Sequence, residues 1–421
     1  MKSLYAFVVA VVAVVSPLVL ASSTARRARA THAAPVRTYA DCQRKTWRPL
    51  QGCPPGTLFV SQNSSRVSFT TIQSAIDSLP HDNSSQVILV APGTYTEQLN
   101  VTRPRPLTLL GMSDAPSQGK AYADVTSDTD HRNEVQVVWA AGNTDNTGKL
   151  VDNAITSVLT VAPTWNASLT GTGPTGFAVP ADTPFGSADF RAYNIDFRNT
   201  YALEAAGPAL ALTVGYANAG FYACGFYSYQ DTVYVGKLGN AFFYDSVVAG
   251  QVDFLYGFGT AWVERSTLAL RNCGGGITAW KGTNTTFTNK YGVYVASSRV
   301  IAANDTIAAE IAGQCALGRP WNAQHRSIFL NTYLDASIKP EGYIEWGDTD
   351  PRYGNTTFMA VYDDNGPGYD VEAMKAGNVT IVLDSEVVEP YRSPAGVFIT
   401  PEGATGNVLW IDGEALASKG I

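Results

Sequence analysis

The sequence predicts an all-β chain wound as a right-handed, single-stranded parallel β-helix, a solenoid with a short N-terminal helical cap. A repeated pattern, its spacing and the composition carry that prediction. Six segments of six residues share a pattern that ends in an apolar or β-branched residue: Ala192–Phe197, Phe221–Phe226, Phe242–Val247, Trp262–Thr267, Val295–Val300 and Ile328–Tyr333. Their last residues are 29, 21, 20, 33 and 33 apart, a period near 20 lengthened by insertions, as stacked coils of short strands give. An ordinary β-sandwich with regular strand spacing is the alternative. The solenoid is preferred because the 20- and 21-residue steps repeat one pattern as well as one length. With 45% hydrophobic, 11% aromatic and 15% charged residues and 38 Gly among 421, the chain has ample material for a core and disfavours helical bundles.

Residues 1–21 read as a secretion signal: an apolar run from Leu4 to Leu20 follows Lys2, with small side chains at Val19 and Ala21. A membrane anchor is the competing reading, but Pro17 and Ala21-Ser22-Ser23 favour cleavage. Residues 22–55 form a basic, cysteine-containing linker with Arg26, Arg27 and Arg29, and residues 56–421 form one β-helix domain. Near its start Ile72, Ala75, Ile76 and Leu79 recur at helical spacing before Pro80 and the strand Val87–Val90. Eight Asn-x-Ser/Thr triplets, at Asn63, Asn83, Asn100, Asn166, Asn284, Asn304, Asn355 and Asn378, point to a secreted, extracellular glycoprotein. Of five cysteines, Cys42 and Cys53 suit a loop clamp, while Cys224, Cys273 and Cys315 read as small buried hydrophobes. A net charge of −7 argues against a nucleic-acid partner. The chain is expected to be a monomer without stable membrane association.

No Gly-x-Ser-x-Gly elbow and no His-Glu-x-x-His helix is present. The four histidines, His32, His81, His131 and His325, fall in linker, turn or polar segments and read as surface residues. Two aspartates are better placed. Asp231 lies five residues beyond Phe226 and Asp253 six beyond Val247, 22 apart where the coil is 20 or 21 long. Nearly equivalent positions on adjacent coils stack about 4.8 Å apart. Two carboxyls that close cannot both ionise easily, so one serves as base or nucleophile and its neighbour as acid. Turn aspartates facing solvent would be the bland explanation, yet both sit in apolar, aromatic settings, Tyr229–Tyr234 and Val252–Tyr256.

These residues resemble the pectin methylesterases (pectinesterases), carbohydrate esterases with a right-handed parallel β-helix. Gly225–Tyr234 is similar to the family's G-Y-Q-D-T-L segment, Asp253–Gly257 to its D-F-I-F-G and Leu317–Trp321 to its L-G-R-P-W. Weaker agreements are Thr71–Ile76, Pro92–Glu97 and Asn365–Gly368, so the likeness runs from about Phe69 to Gly368 and the tail from Tyr369 adds little. The resemblance implies hydrolysis of pectin methyl esters to methanol and pectate, with pectin as the partner and no cofactor or metal. It makes Asp253 the nucleophile, Asp231 the acid and then the base, Gln230 an oxyanion donor and Arg319 the cation that holds Asp253. Trp321, with Tyr256 and Tyr229, would bind substrate.

There is one departure. The family's Q-A-V-A-L appears as Pro208–Leu212, so proline replaces a second oxyanion glutamine; losing one such donor typically costs about 10²- to 10³-fold in kcat. Gln251, or Gln230 alone, is left to fill the role. The alternative is a catalytically weak or inactive homologue that binds pectin in the wall. A polysaccharide lyase or galacturonase is disfavoured, since the region between Asp231 and Asp253 lacks a calcium-type carboxylate cluster and the adjacent Asp363-Asp364 lies far from it.

Overall fold

The structure is a computed structural model and describes residues 39–63, 68–116, 133–144, 147–172, 176–282 and 290–417. The signal segment, His32, His131 and Asn284 lie outside the described residues. Three parallel sheets, of eleven, eight and seven strands, stack side by side, and each sheet takes one strand per coil in turn. This is the expected right-handed parallel β-helix. We call them sheets 1, 2 and 3.

The bore is filled by ladders of like side chains. Ala192, Phe221, Phe243, Val263, Val295, Phe329 and Val361 are successive register partners in sheet 1. Phe197, Phe226, Val248, Leu268 and Val300 do the same in sheet 2. All are fully buried. Stacking identical positions keeps the apolar surface continuous from coil to coil, so each repeat is stabilised mainly by its neighbours.

This register corrects the repeat frame read from sequence. Phe221 pairs with Phe243, Phe243 with Val263, and Val295 with Phe329, so the segments that start at Phe242, Trp262 and Ile328 begin one residue early. An aromatic or apolar residue directly precedes the true position in all three, Phe242, Trp262 and Ile328, and periodicity alone could not separate inward from outward residues there. In the corrected frame the turn between sheets 1 and 2 places one residue per coil at positive φ: Asn194, Ala223, Asp245, Arg265, Ser297, Asn331 and Asp363, all between 48 and 52° except Ser297 at 46°. The next residue lends its side chain to the stack. Ser246 Oγ accepts from Cys224 N, Ser266 Oγ from Ser246 N, Ser298 Oγ from Ser266 N, and Asp364 Oδ1 from Thr332 N.

The expected cap is the Ile72–Asp77 helix. Thr71 caps it by accepting from Ser74 N, and Glu97 accepts from Ile72 N and Gln73 N, both at 2.9 Å. From Tyr39 onward the segment expected as linker is part of the fold: Gln43 bonds Gly111 O and Asn194 Oδ1, and a Cys42–Cys53 disulfide closes the loop. Two sequence readings are overturned. Cys273 and Cys315 form a second disulfide, leaving Cys224 as the buried free thiol. His325 is buried, accepting from Trp280 N at Nδ1 and meeting Ser327 Oγ at Nε2, and burial pushes its pKa down to about 3. The polar look of Asn322–Gln324 misled the reading of His325, because the chain enters the core within two residues of that turn.

The tail beyond Ser385 runs back along the outer face of sheet 1. Val388, Tyr391, Phe398, Trp410 and Ile411 cover Tyr222, Phe242, Trp262, Tyr294 and Ile328, and Asp412 reaches Tyr193 Oη and Tyr222 Oη.

Candidate active site

Sheet 3 carries the site on its outer face. Its strands are three residues long, so the first and last point into the bore and the middle one points out. The outward ladder reads Thr213, Tyr234, Tyr256, Ala279, Arg319. Two residues before the strands Val233–Val235 and Leu255–Gly257 stand Asp231 and Asp253. Both are five residues beyond their sheet 2 ladder partners Phe226 and Val248, so they hold one position on successive coils. Both are left-handed, at φ 60° and 47°, a conformation that aspartate tolerates better than most side chains.

The two carboxylates differ in their partners. Arg319 grips Asp253 with a two-pronged bond, Nε to Oδ1 at 3.0 Å and Nη2 to Oδ2 at 2.7 Å, the strong geometry of guanidinium and carboxylate. Gly276 N donates to Oδ1 at 3.2 Å. Among the described residues, the Asp231 carboxyl receives only Asn153 Nδ2, at 3.1 Å on Oδ2. Burial pushes both pKa values up, Asp231 well above the usual range. For Asp253 the Arg319 bond and charge and the Gly276 N–H oppose burial; for Asp231 the negative charge of Asp253 adds to it. The shared proton therefore belongs on Asp231.

Each gripping group is itself held. The Arg319 guanidinium lies 4.0 Å from the centre of the Trp346 ring, and Arg352 sits at the same distance from that ring while donating to Trp321 O. Gly275, at φ 60°, lies under Arg319; a Cβ there would come within 2.7 Å of the guanidinium. Asn153 is fixed by Asn143 Nδ2, and its turn is capped by Asp152, whose carboxylate also accepts from Thr170 N, Thr170 Oγ1 and Phe177 N.

Gln230 lies beside the pair. Its Oε1 accepts from Gly207 N at 3.2 Å, which orients the carboxamide and leaves the NH₂ as the donor end. Gln251 Oε1 accepts from Ala205 N, and Pro208 offers only its carbonyl, to Asn143 N. Trp321 packs against Tyr256 at 5.6 Å between ring centres. Tyr229 stands apart from these two, its ring 4.9 Å from the Arg271 guanidinium. The structure thus brings Asp231, Asp253, Gln230, Arg319, Trp321 and Tyr256 to one face. Sequence reasoning missed Asn153, Trp346 and Gly275. Asn153 is 78 residues from Asp231 and carries no local signal; Trp346 sat in the unread stretch Gly342–Asp350. Among the described residues no group of three or more His, Cys, Asp or Glu is arranged to hold a metal ion.

The chain is similar to known proteins in sequence and in fold. The Pectinesterase family profile matches residues 171–391. Probable pectinesterase A of Aspergillus niger is 27% identical over 317 residues, 75% of this chain and 80% of that protein. Pectinesterase 2 of Citrus sinensis is 34% identical over 194 residues, 43% of this chain and 35% of that protein. Among solved structures, a pectin methylesterase from Aspergillus niger superimposes with a TM-score of 0.61 at 25% identity, covering 85% of this chain and 97% of that one. With the fold, the family profile and these relatives in agreement, the chain belongs to the pectinesterase family of carboxylic ester hydrolases.

Proposed function

We propose that this enzyme hydrolyses the methyl esters of pectin, with Asp253 as nucleophile and Asp231 as acid and base. The observation that carries the proposal is the unequal treatment of two carboxyls at one position on adjacent coils. Asp253 is bound to a guanidinium and stays ionised; Asp231 has an amide partner and holds the proton. An ionised Asp253 oxygen attacks the ester carbonyl carbon, and the tetrahedral oxyanion takes a hydrogen bond from the Gln230 amide. The intermediate collapses with the C–OCH₃ bond breaking and the Asp231 proton passing to the departing oxygen, which gives methanol and an acyl-aspartyl anhydride. Asp231, now ionised, removes a proton from water as it attacks the anhydride, and the free galacturonate carboxyl leaves with Asp253 restored. Trp321 and Tyr256 form the wall beside the reacting pair. Names of relatives agree with this substrate: a related pectin methylesterase has been crystallised with hexasaccharides. Two disulfides and eight glycosylation triplets fit an enzyme exported to an oxidising, extracellular setting.

The test is methanol release from highly methylated pectin by the purified protein, Asp253→Ala and Asp231→Ala. Wild type should release methanol; each variant should fall by roughly 10²-fold or more with an unchanged circular dichroism spectrum. Full activity in either folded variant would remove that residue from the mechanism. Pro208 supports a second reading, a wall protein that binds without turnover, and negligible methanol from wild type with retained pectin binding would establish it.

A further inference from the structure

Lys281 follows directly on the sheet 3 strand Thr278–Trp280, and its ammonium stands among aromatic rings rather than carboxylates. Nζ is 3.8 Å from the centre of the Trp321 ring and 4.8 Å from that of Phe258, and it donates to Thr170 O at 3.2 Å. It forms no ion pair with any described residue. The acidic group near enough to be felt is Asp152, and its carboxylate is consumed by Ala154 N, Thr170 N, Thr170 Oγ1 and Phe177 N. Burial lowers the lysine's pKa to about 8, which leaves it charged at neutral pH. A part-buried cation with two donors to spare is costly unless an anion arrives. Ring faces hold such a cation in place but do not neutralise it.

The substrate class supplies the missing anion. Once a methyl ester of the polymer is cleaved, the sugar carries a free carboxylate beside esters not yet cut. We propose that Lys281 binds the free carboxylate of a galacturonate unit adjacent to the one whose ester is cleaved, so that the enzyme favours partly demethylated pectin. Trp321 then acts in part by positioning Lys281, since one side of its ring is taken by the ammonium. The inference rests on the esterase reading of the same groove.

Three proteins test it: wild type, Lys281→Met, which keeps the stem over the rings, and Lys281→Arg, which keeps the charge. Methanol release is compared on a fully methylated oligogalacturonide and on one of equal length bearing some free carboxylates. Lys281→Met should lose at least about tenfold more kcat/KM on the second substrate than on the first, with the difference in KM, as expected for one charge-assisted hydrogen bond. Lys281→Arg should keep most of the preference. Equal losses on both substrates would show that Lys281 merely props Trp321 and would overturn the proposal, as would no loss on either. Calorimetric binding of fully unmethylated trigalacturonate needs no turnover, so it separates this proposal from the esterase reading. Binding weakened about tenfold or more in Lys281→Met supports the carboxylate site even if no methanol is released. Equal binding by both proteins refutes it.

Discussion

Asp231 is a buried acid that the fold does not neutralise. Its partner is the Asn153 amide, and both burial and the charge on Asp253 raise its pKa. A carboxyl whose folded pKa exceeds its unfolded value contributes stability below the unfolded value, near 4, and that contribution is lost as pH rises through the folded pKa. The native state is therefore less stable at pH 8 than it would be without this ionisation. Asp231→Asn removes the titration and keeps a side chain of the same shape. It should leave stability near pH 4 little changed and raise it at pH 8 by about 0.5–2 kcal/mol, while methanol release collapses. Urea unfolding at both pH values checks this, and equal curves at pH 8 would show that Asp231 ionises without strain. The arginine partner works in the opposite sense: an Asp253 stripped of Arg319 would be a buried, unpaired charge, a loss of about 3–5 kcal/mol where such pairs have been broken.

At the scale of the element, the site is assembled from turns between sheets 2 and 3, and a disulfide pins one of them. Cys273 and Cys315 join residues 42 apart, on the turn that carries Gly275 and Gly276 and on the approach to Arg319. Replacing both with serine should destabilise the protein by about 4 kcal/mol on the chain-entropy view of a loop that long. It should also lower kcat more than it raises KM, because Gly276 N and the floor under Arg319 both belong to the freed turn. Thermal melts and steady-state kinetics of the double variant measure the two effects; an unchanged kcat would show that the turn holds its shape unaided. This turn also marks where the sequence stopped being readable. The aspartate pair, Gln230, Arg319 and Trp321 could be found because short motifs carry them, and the solenoid could be found because coil lengths repeat. The Cys273–Cys315 link and the Asn153–Asp231 bond join segments whose nearness depends on the stacking register, and one misframed residue in three of six repeats was enough to hide it. His325 was lost the same way, as a polar residue whose Nδ1 accepts from Trp280 N, 45 residues away in the chain.

At the largest scale, the described β-helix is a column with a strap. Repeat stacks are held by nearest-neighbour contacts and can fray from either end. Here the tail beyond Ser385 lies across the outer aromatic ladder of sheet 1, from Tyr391 on Tyr294 to Asp412 on Tyr193 and Tyr222. Truncation after Asp384 should uncover the faces of Tyr222, Phe242, Trp262 and Tyr294, an apolar patch of the kind that drives association. The shortened protein is expected to bind a hydrophobic dye and to elute as oligomers in size-exclusion chromatography. A soluble monomer that binds no dye would mean that the outer ladder needs no cover.

The strap also sets a clock on biogenesis. A plain solenoid can add coils in the order in which they emerge during synthesis, each new turn finding its template already in place. In this chain the covering residues Phe398, Trp410 and Ile411 are made well over a hundred residues after their seats on Tyr222 and Phe242. The column therefore waits with one apolar flank open until the strap has been made. During that interval the growing polypeptide depends on whatever shields nascent chains, although the carboxyl pair and its coils are already complete.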